Sequence, residues 1–415
     1  MRTTAHFVSR YLLFVVAVIG GLSGTNSAIA QNLKALHAFG NTSGDGSNPY
    51  AGLTMDKAGN LYGTTQSGGA FGAGTVYRLM PDGTETVLYS FTGGTDGAMP
   101  LAGLLIDEAG NLYGTTWFGG ANTCGPRYCG TVFRIAPDGT ETVLHSFAGG
   151  SDGASPTASL VADKAGNLYG STSAGGNTHC GGSGCGTVFK LAPDGTEAVL
   201  YAFKGRREDG HFPFSGLVMD KSGNLYGTTQ NGGAQCPDGG CGTVFRIAPD
   251  GKETLLHVFS GSDGRYPFKL VGDGNGNLYG TTNLGGDGNC AKYNVHTHGC
   301  GTVFRLTEAG SFSLLHSFVG TDGFLPIGLY VDTSGNLFGT AADGGASKMG
   351  TVFEVMPDGT TKVLHSFHGD ADGSDPTGGV IADKKGNLFG TTDEGGDIGC
   401  NQNGTGCGTV FKLKY

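Results

Sequence analysis

The segment Gly-Asn-Leu-(Tyr/Phe)-Gly-Thr-Thr, intact or with one or two changes, occurs seven times in the chain. Its asparagines are Asn60, Asn111, Asn167, Asn224, Asn277, Asn336 and Asn387, spaced 51, 56, 57, 53, 59 and 51 residues apart. A repeat of that period is one supersecondary unit copied in tandem, and no copy can bury its apolar faces alone. The chain must therefore fold as an array in which neighbours complete one another's cores.

The second copy shows what the unit is. Leu101 to Asp107 is a short apolar run, Glu108-Ala109-Gly110-Asn111 is a turn, and Leu112 to Thr116 is a second run. After Gly119-Gly120 and a loop comes Gly130 to Ile135, then the tight turn Pro137-Asp138-Gly139-Thr140, then Thr142 to Phe147. Each run is short, rich in Val, Leu, Thr and aromatics, and bounded by turn residues, so the spacing predicts four antiparallel strands and no helix of useful length. Four strands in about 50 residues is the pattern of a β-propeller blade. The Asp before each Gly-Asn turn (Asp56, Asp107, Asp163, Asp220, Asp273, Asp332, Asp383) can bond its own downstream backbone, which is sufficient reason for it.

The ends of the chain predict a closed ring. Leu33 to Phe39 matches a fourth strand, whereas the last copy stops in its third strand at Phe411-Lys412-Leu413. Pairing the two leaves no sheet edge between first and last units. The expected fold is thus all-β: one seven-bladed propeller over residues 31–415, closed by the amino-terminal strand. Two aromatic rows fit packing between blades: Tyr62, Tyr113, Tyr169, Tyr226, Tyr279, Phe338 and Phe389, and Phe39, Phe91, Phe147, Phe203, Phe259, Phe318 and Phe367.

Residues 1–30 read as an export signal: Arg2 and Arg10, an apolar run from Tyr11 to Leu22, and Ala28-Ile29-Ala30 before Gln31. The run is too short to span a bilayer comfortably and no second one follows, so no integral membrane segment is expected. No Cys precedes Cys124 and no apolar tail precedes Tyr415, which adds to the expectation of a soluble periplasmic or extracellular protein. Removing the signal takes away two Arg and no acid, leaving 23 − 35 = −12. That charge, with no basic stripe, argues against nucleic acid as a partner. A monomer is expected. Glycine, at 81 of 415 residues, would suggest low complexity, but these glycines hold fixed repeat positions and act as punctuation.

The ten cysteines make five local pairs, Cys124/Cys129, Cys180/Cys185, Cys236/Cys241, Cys290/Cys300 and Cys400/Cys407, all between second and third strands. The two copies without cysteines have the shortest such loops. In an exported chain this predicts one disulfide staple per lengthened loop; zinc would need four ligands, and each pair stands apart.

In a propeller blade that loop shares a face with the connection to the next blade, here the Asp-Gly-x-x-Pro element at Asp45, Asp96, Asp152, Asp209, Asp263, Asp322 and Asp372. Variation between copies concentrates in these two loops, so binding is expected on the stapled face. Trp117, the one tryptophan, stands where other copies have Gln66, Ser173, Gln230, Asn283, Ala342 or Asp393, and could be a stacking platform for a sugar; partial burial is the plainer explanation. Arg206, Arg207, His211, Phe212 and Phe214 crowd one blade connection and offer a second patch. His296 and His298 lie inside the longest staple. His37, His145, His257, His316 and His365 share a fourth-strand position that Tyr89 and Tyr201 also fill, which argues against ligand chemistry there. The seven Asp-Gly loops offer oxygens to calcium, though one carboxylate per loop is thin. No metal or other cofactor is otherwise called for. Asp393 and Glu394 break the pattern of the last blade and are the weak candidates for catalysis.

The repeated elements resemble the GloVer tandem repeat, named for the Gloeobacter and Verrucomicrobia lineages. In it Gly-Asn-Leu-(Tyr/Phe)-Gly-Thr-Thr, Gly-Gly, Gly-Thr-Val-Phe and Leu-(His/Tyr)-Ser-Phe recur in order. The likeness runs from about residue 33 to 415. It implies an extracellular or surface location in bacteria, often with a C-terminal anchor, for which nothing follows Lys414-Tyr415. It brings no catalytic residues and no ligand. The expected function is non-catalytic binding of a carbohydrate or protein through the stapled face. The alternatives are a propeller enzyme acting on a polysaccharide or lactone at the channel mouth, and a structural spacer.

Overall fold

The computed structural model describes residues 33–40, 42–124, 127–205, 209–233, 236, 239–288, 290, 299–397, 400 and 405–415. The expected export signal lies outside them. Seven antiparallel sheets of four strand positions follow one another in the order of the seven repeats, the first position of the third being split into Ala154–Pro156 and Val161–Ala162. In the second blade the strands are Leu105–Ile106, Leu112–Thr116, Thr131–Ile135 and Glu141–Ser146, in that spatial order. The last blade is built from both ends of the chain. Its own strands are Val380–Ala382, Leu388–Thr392 and Thr409–Leu413, and Leu33–Ala38 adds antiparallel to the third, Leu33 opposite Leu413 and Ala38 opposite Thr409. The ring closes as the offset of the termini predicts.

Each motif residue has a physical task. Asp107 Oδ1 accepts from the backbone N–H groups of Ala109 and Asn111, and Oδ2 accepts from the Asn111 amide and the Tyr113 hydroxyl, all at 2.8–3.1 Å. Burial opposes the charged form, but these four bonds outweigh it and hold the carboxyl below its ordinary range. Gly114 faces Phe133 across the ladder, and a Cβ there would come within 2.5 Å of the Phe133 ring. The glycine makes room for an aromatic. Thr116 and Thr131 share a hydroxyl bond at 2.8 Å inside the blade, while Thr115 donates to the Ala158 carbonyl of the next blade at 3.3 Å. Thr391 does the same across the seam, to Ala51 at 2.9 Å.

The phenylalanine after each fourth strand packs edge-on against the third-strand aromatic of the following blade. The pairs are Phe39–Tyr77, Phe91–Phe133, Phe147–Phe189, Phe203–Phe245, Phe259–Phe304, Phe318–Phe353 and Phe367–Phe411. Centroids lie 4.9–5.3 Å apart at 63–69° between planes, and all fourteen rings are fully buried.

The first strand differs from the run read in the sequence. Only Leu105–Ile106 of Leu101–Asp107 pairs with the second strand, whereas the fifth and sixth blades have continuous first strands, Arg265–Gly272 and Phe324–Val331. The cause is one residue. Pro to Asp is seven positions in five blades (Pro100 to Asp107) and six in these two (Pro267 to Asp273, Pro326 to Asp332), and the extra residue breaks the ladder.

Because Phe39 is supplied from the far end of the chain, it tests closure directly. Phe39→Ala is expected to lower unfolding stability by roughly 3–5 kcal/mol, while Phe71→Ala, at a 64% exposed site, leaves it unchanged. Equal denaturant midpoints for both variants would contradict the closed ring.

Candidate functional site

On the face that carries the stapled loops, each blade connection holds one non-glycine residue in the left-handed region. It is the residue before the proline: Asn48, Met99, Ser155, Phe212, Tyr266, Leu325 or Asp375, with φ between 54° and 59°. A side chain there is strained, and a following proline disfavours helical backbone further. Tertiary bonds hold it. The Ser155 N–H donates to the Cys129 carbonyl of the preceding blade at 2.7 Å, and the Asn48 N–H donates to Cys407 across the seam at 2.9 Å. The carbonyl of the same residue accepts from the N–H that follows Thr-Thr: Met99 from Trp117 at 3.1 Å, Asp375 from Asp393 at 2.9 Å.

The staples stand beside these clamps. Cys180–Cys185, Cys236–Cys241, Cys290–Cys300 and Cys400–Cys407 are disulfides with Cα atoms 5.1–6.0 Å apart. Cys129 is disulfide-bonded as well, and the Cys124 side chain lies outside the described residues. Staple and clamp together fix the loop between second and third strands against the next blade.

The Asp of each Asp-Gly-x-x-Pro element is taken up by the fold. Its carboxylate binds the fourth-strand His or Tyr: His37–Asp45, Tyr89–Asp96, His145–Asp152, Tyr201–Asp209, His257–Asp263, His316–Asp322 and His365–Asp372, at 2.5–3.3 Å. It also accepts from a backbone N–H just past the strand, for example Thr92 to Asp96 at 2.7 Å. The histidine row and the aspartate row are therefore one structural device, a link the separate rows did not disclose. Oxygens so engaged are poorly placed to ligate calcium.

Two sets of seven side chains remain, equivalent in place and unlike in chemistry. One is the left-handed set. The other follows Thr-Thr: Gln66, Trp117, Ser173, Gln230, Asn283, Ala342 and Asp393. Backbone bonds such as Trp117 to Met99 and Gln230 to Phe212 (3.0 Å) place the sets side by side. Of the sequence candidates, Gln66, Trp117, Gln230, Asn283 and Asp393 share the second set and Phe212 belongs to the first. Trp117 is half-buried and stacks on Phe118 at 4.3 Å and 22°, and His211 lies 5.2 Å from Phe212. Glu394 joins through its backbone, which pairs with Ser374. Arg206, Arg207, His296 and His298 lie outside the described residues.

Sequence inspection missed Asp375, which the structure brings beside Asp393. Burial, then the charges of Asp393, Glu394 and Asp343, pushes the Asp375 carboxyl up to about 7. Burial and Glu394 push Asp393 up to about 6, against a lowering bond from Asn48. Tyr50, next along the channel, is raised to about 12 by burial and then by both aspartates. The buried oxygens Asp393 Oδ1 and Asn283 Oδ1 accept no hydrogen bond from the described protein groups. A signal existed for Asp375: it precedes Asp393 by 18 residues, the interval that separates Asn48 from Gln66 and Met99 from Trp117. A perturbed acid is not by itself a site, however. Glu85, Glu141, Glu197 and Glu253 are each pushed up to about 7 by burial and then by a clamp aspartate, and they recur at one outer-strand position. Repetition marks those as structural, whereas the Asp375–Asp393 pair occurs in one blade.

Below the two sets the axial channel is walled by short segments such as Ala51-Gly52, Ala102-Gly103 and Ala158-Ser159, and encloses about 50 Å³ of free volume. That admits roughly three or four waters, too little for a sugar ring. Lys269 is the one charged side chain among the described lining residues, and burial lowers its pKa.

A family model for the Gloeobacter/Verrucomicrobia repeat matches residues 23–182, 125–294 and 290–415. No curated protein matches the chain. Among solved structures, the extracellular domain of the putative hybrid two-component system BT3049 from B. thetaiotaomicron is similar, with TM-score 0.55 and 11% identity, over 92% of this chain. The match spans 41% of that chain, and at this identity it speaks for the fold alone. A putative gluconolactonase gives TM-score 0.37 and 16% identity over 68% of this chain and 80% of its own.

Asp375, Asp393 and the four recurrent glutamates have folded-state pKa values above their unfolded ones. Between about pH 4 and pH 7 the folded chain therefore holds protons that the unfolded chain has released, and stability rises as pH falls through that window. Asp375→Asn removes one such group. The variant is expected to exceed the wild type in denaturant midpoint near pH 8, with the gap closing towards about pH 4.5. A gap that widens towards acid would contradict the assignment.

Proposed function

The chain belongs to the Gloeobacter/Verrucomicrobia repeat family, and from that premise we propose that it is an exported, non-catalytic β-propeller that binds carbohydrate at the channel mouth of its stapled face. One observation carries the reading. At one position per blade the backbone holds the same strained conformation in all seven copies, and both there and at the position after Thr-Thr the side chains differ almost throughout. Packing alone favours glycine or asparagine in the left-handed region. Met, Phe, Tyr and Leu there fit a surface in which the scaffold is held constant and the contacts are individual.

The chemistry of the two sets suits a polyol. Gln66, Gln230, Asn283 and Asp393 offer amides and a carboxylate to hydroxyls, and two of their buried acceptors lack a protein donor. Trp117, Phe212 and Tyr266 offer apolar faces to a sugar ring. The narrow channel favours a chain end or branch lying across the mouth. Export is supported by the disulfides. Among the described residues no helix is long and apolar enough to cross a membrane.

The Asp375–Asp393 pair favours a second reading, an enzyme acting on polysaccharide. Two neighbouring carboxyls both raised towards neutrality are what general acid and general base chemistry needs.

A glycan array with wild type, Trp117→Ala and Asp393→Asn separates the readings. Binding to a defined glycan class that either substitution weakens about tenfold or more supports the first, since one lost polar or stacking contact is worth about 1.4 kcal/mol. Turnover of an array hit, abolished in Asp375→Asn, moves the assignment to the enzyme. No glycan bound by the wild type removes the carbohydrate reading.

A further inference from the structure

Among the described residues two of the seven His/Tyr–Asp clamps gather a third possible ligand, His37–Asp45 with Glu85 and His365–Asp372 with His368, and only the second adds a histidine. The position after the fourth-strand phenylalanine is Gly40, Thr92, Ala148, Lys204, Ser260 or Val319 in the other connections, and His368 here. His365 Nε2 lies 3.0 Å from Asp372 Oδ2, and His368 Nδ1 lies 3.3 Å from the same oxygen. The three ligand atoms all fall within 4.8 Å of one another.

We propose that His365, His368 and Asp372 form a binding site for a borderline divalent transition metal such as zinc. Three features of the cluster support it. Two ligands about 2.0–2.1 Å from a tetrahedral ion stand roughly 3.3–3.4 Å apart, so the observed separations need only small side-chain rotations to admit one. The donor set, two imidazoles and a carboxylate, suits zinc, nickel or cobalt rather than calcium or magnesium. The backbone bond to this carboxylate is also longer than in its counterparts. The backbone N–H of His368 reaches Asp372 only at 3.3 Å, whereas the equivalent bonds in the other blades are 2.5–3.1 Å.

The exposures of the three side chains describe how an ion would enter. His365 and Asp372 are 9% and 12% exposed and are set in place, His365 by the edge of Phe367 at 4.9 Å. His368 is 53% exposed and forms the open arm. Three protein ligands leave a fourth position to solvent or to a ligand atom. The ion would tie the fourth strand Thr361–Ser366 of the sixth blade to the connection that enters the seventh, three residues before Asp375.

The other clamps supply the control. Titration calorimetry of the mature chain with zinc chloride, in buffer free of phosphate and chelator, is expected to show one site with a Kd of about 10 µM or tighter. His368→Ala should weaken it at least about tenfold. His145→Ala, which removes the histidine of an ordinary clamp, and the double variant His296→Ala/His298→Ala should leave it unchanged. His368 is exposed, so its loss should not disturb the fold, and an unchanged circular dichroism spectrum shows that. Absence of wild-type binding, equal affinity in His368→Ala, or loss of the site in His145→Ala or the His296/His298 variant would each overturn the assignment.

Discussion

The edge-to-face aromatic pair between successive blades is the contact on which the rest of the molecule depends. A four-stranded blade cannot stand alone, because each sheet needs both faces covered. The phenylalanine after each fourth strand meets the third-strand aromatic of the next blade at 4.9–5.3 Å, fully buried, seven times around. The glycine of Gly-Thr-Thr exists to receive that third-strand ring. At the seam the strand ladder must join Leu33–Ala38 to a strand 380 residues away (413 − 33), and loop closure over that length costs only roughly 5 kcal/mol because the cost is logarithmic. Blades docked in between shorten the effective loop further. Five ladder pairings, the Phe39 N–H bond to the Gly408 carbonyl and the Thr391 bond to Ala51 hold the ring shut.

A scaffold secured this way can carry strain elsewhere. The seven left-handed residues before proline are over-determined: the N–H is held by the preceding blade, the carbonyl by the blade's own second strand, and the loop beyond is stapled in five of seven copies. Such positions cost of order 1–3 kcal/mol each when occupied by a side chain. Glycine would relieve most of that, and glycine abounds in this chain. Side chains of seven kinds at that position therefore point to what they present rather than to what they stabilise.

Much of this was legible in the sequence and some was not, for identifiable reasons. Strand order, blade number and closure follow from periodic elements such as Gly-Asn-Leu-Tyr-Gly-Thr-Thr and from the unmatched strand at Leu33. The staples followed from the coincidence of cysteines with long loops. The pairing of the His37 row with the Asp45 row was hidden because the two rows lie on different elements and meet only through the turn at the end of the fourth strand. Asp375 was hidden because it is one of seven unlike residues at its position, and nothing about an aspartate in a loop reveals that Asp393 lies alongside. The left-handed backbone was also invisible, since the residue before a proline is ordinarily extended. Where the repeat holds, sequence and structure say the same thing; single substitutions within the repeat needed the third dimension.

Those single substitutions are not scattered evenly. Asp343, Asp375, Asp393 and Glu394 belong to the sixth and seventh blades, and His368 stands in the connection between them. Asn48, from the first blade, donates its side-chain amide to the Asp393 carbonyl at 3.1 Å across the seam, and Thr377 donates to Tyr50 at 3.1 Å. The chemically distinctive part of the mouth thus coincides with the one junction that the chain must close from its two ends. A ligand held between Asn48 and Asp393 touches both sides of that junction and would bind the closed ring but not an open one. By mass action it would stabilise closure by RT ln(1 + [L]/Kd), about 2.7 kcal/mol at a hundredfold excess over Kd. On the proposed reading, occupancy of the mouth and integrity of the ring would in that way be coupled.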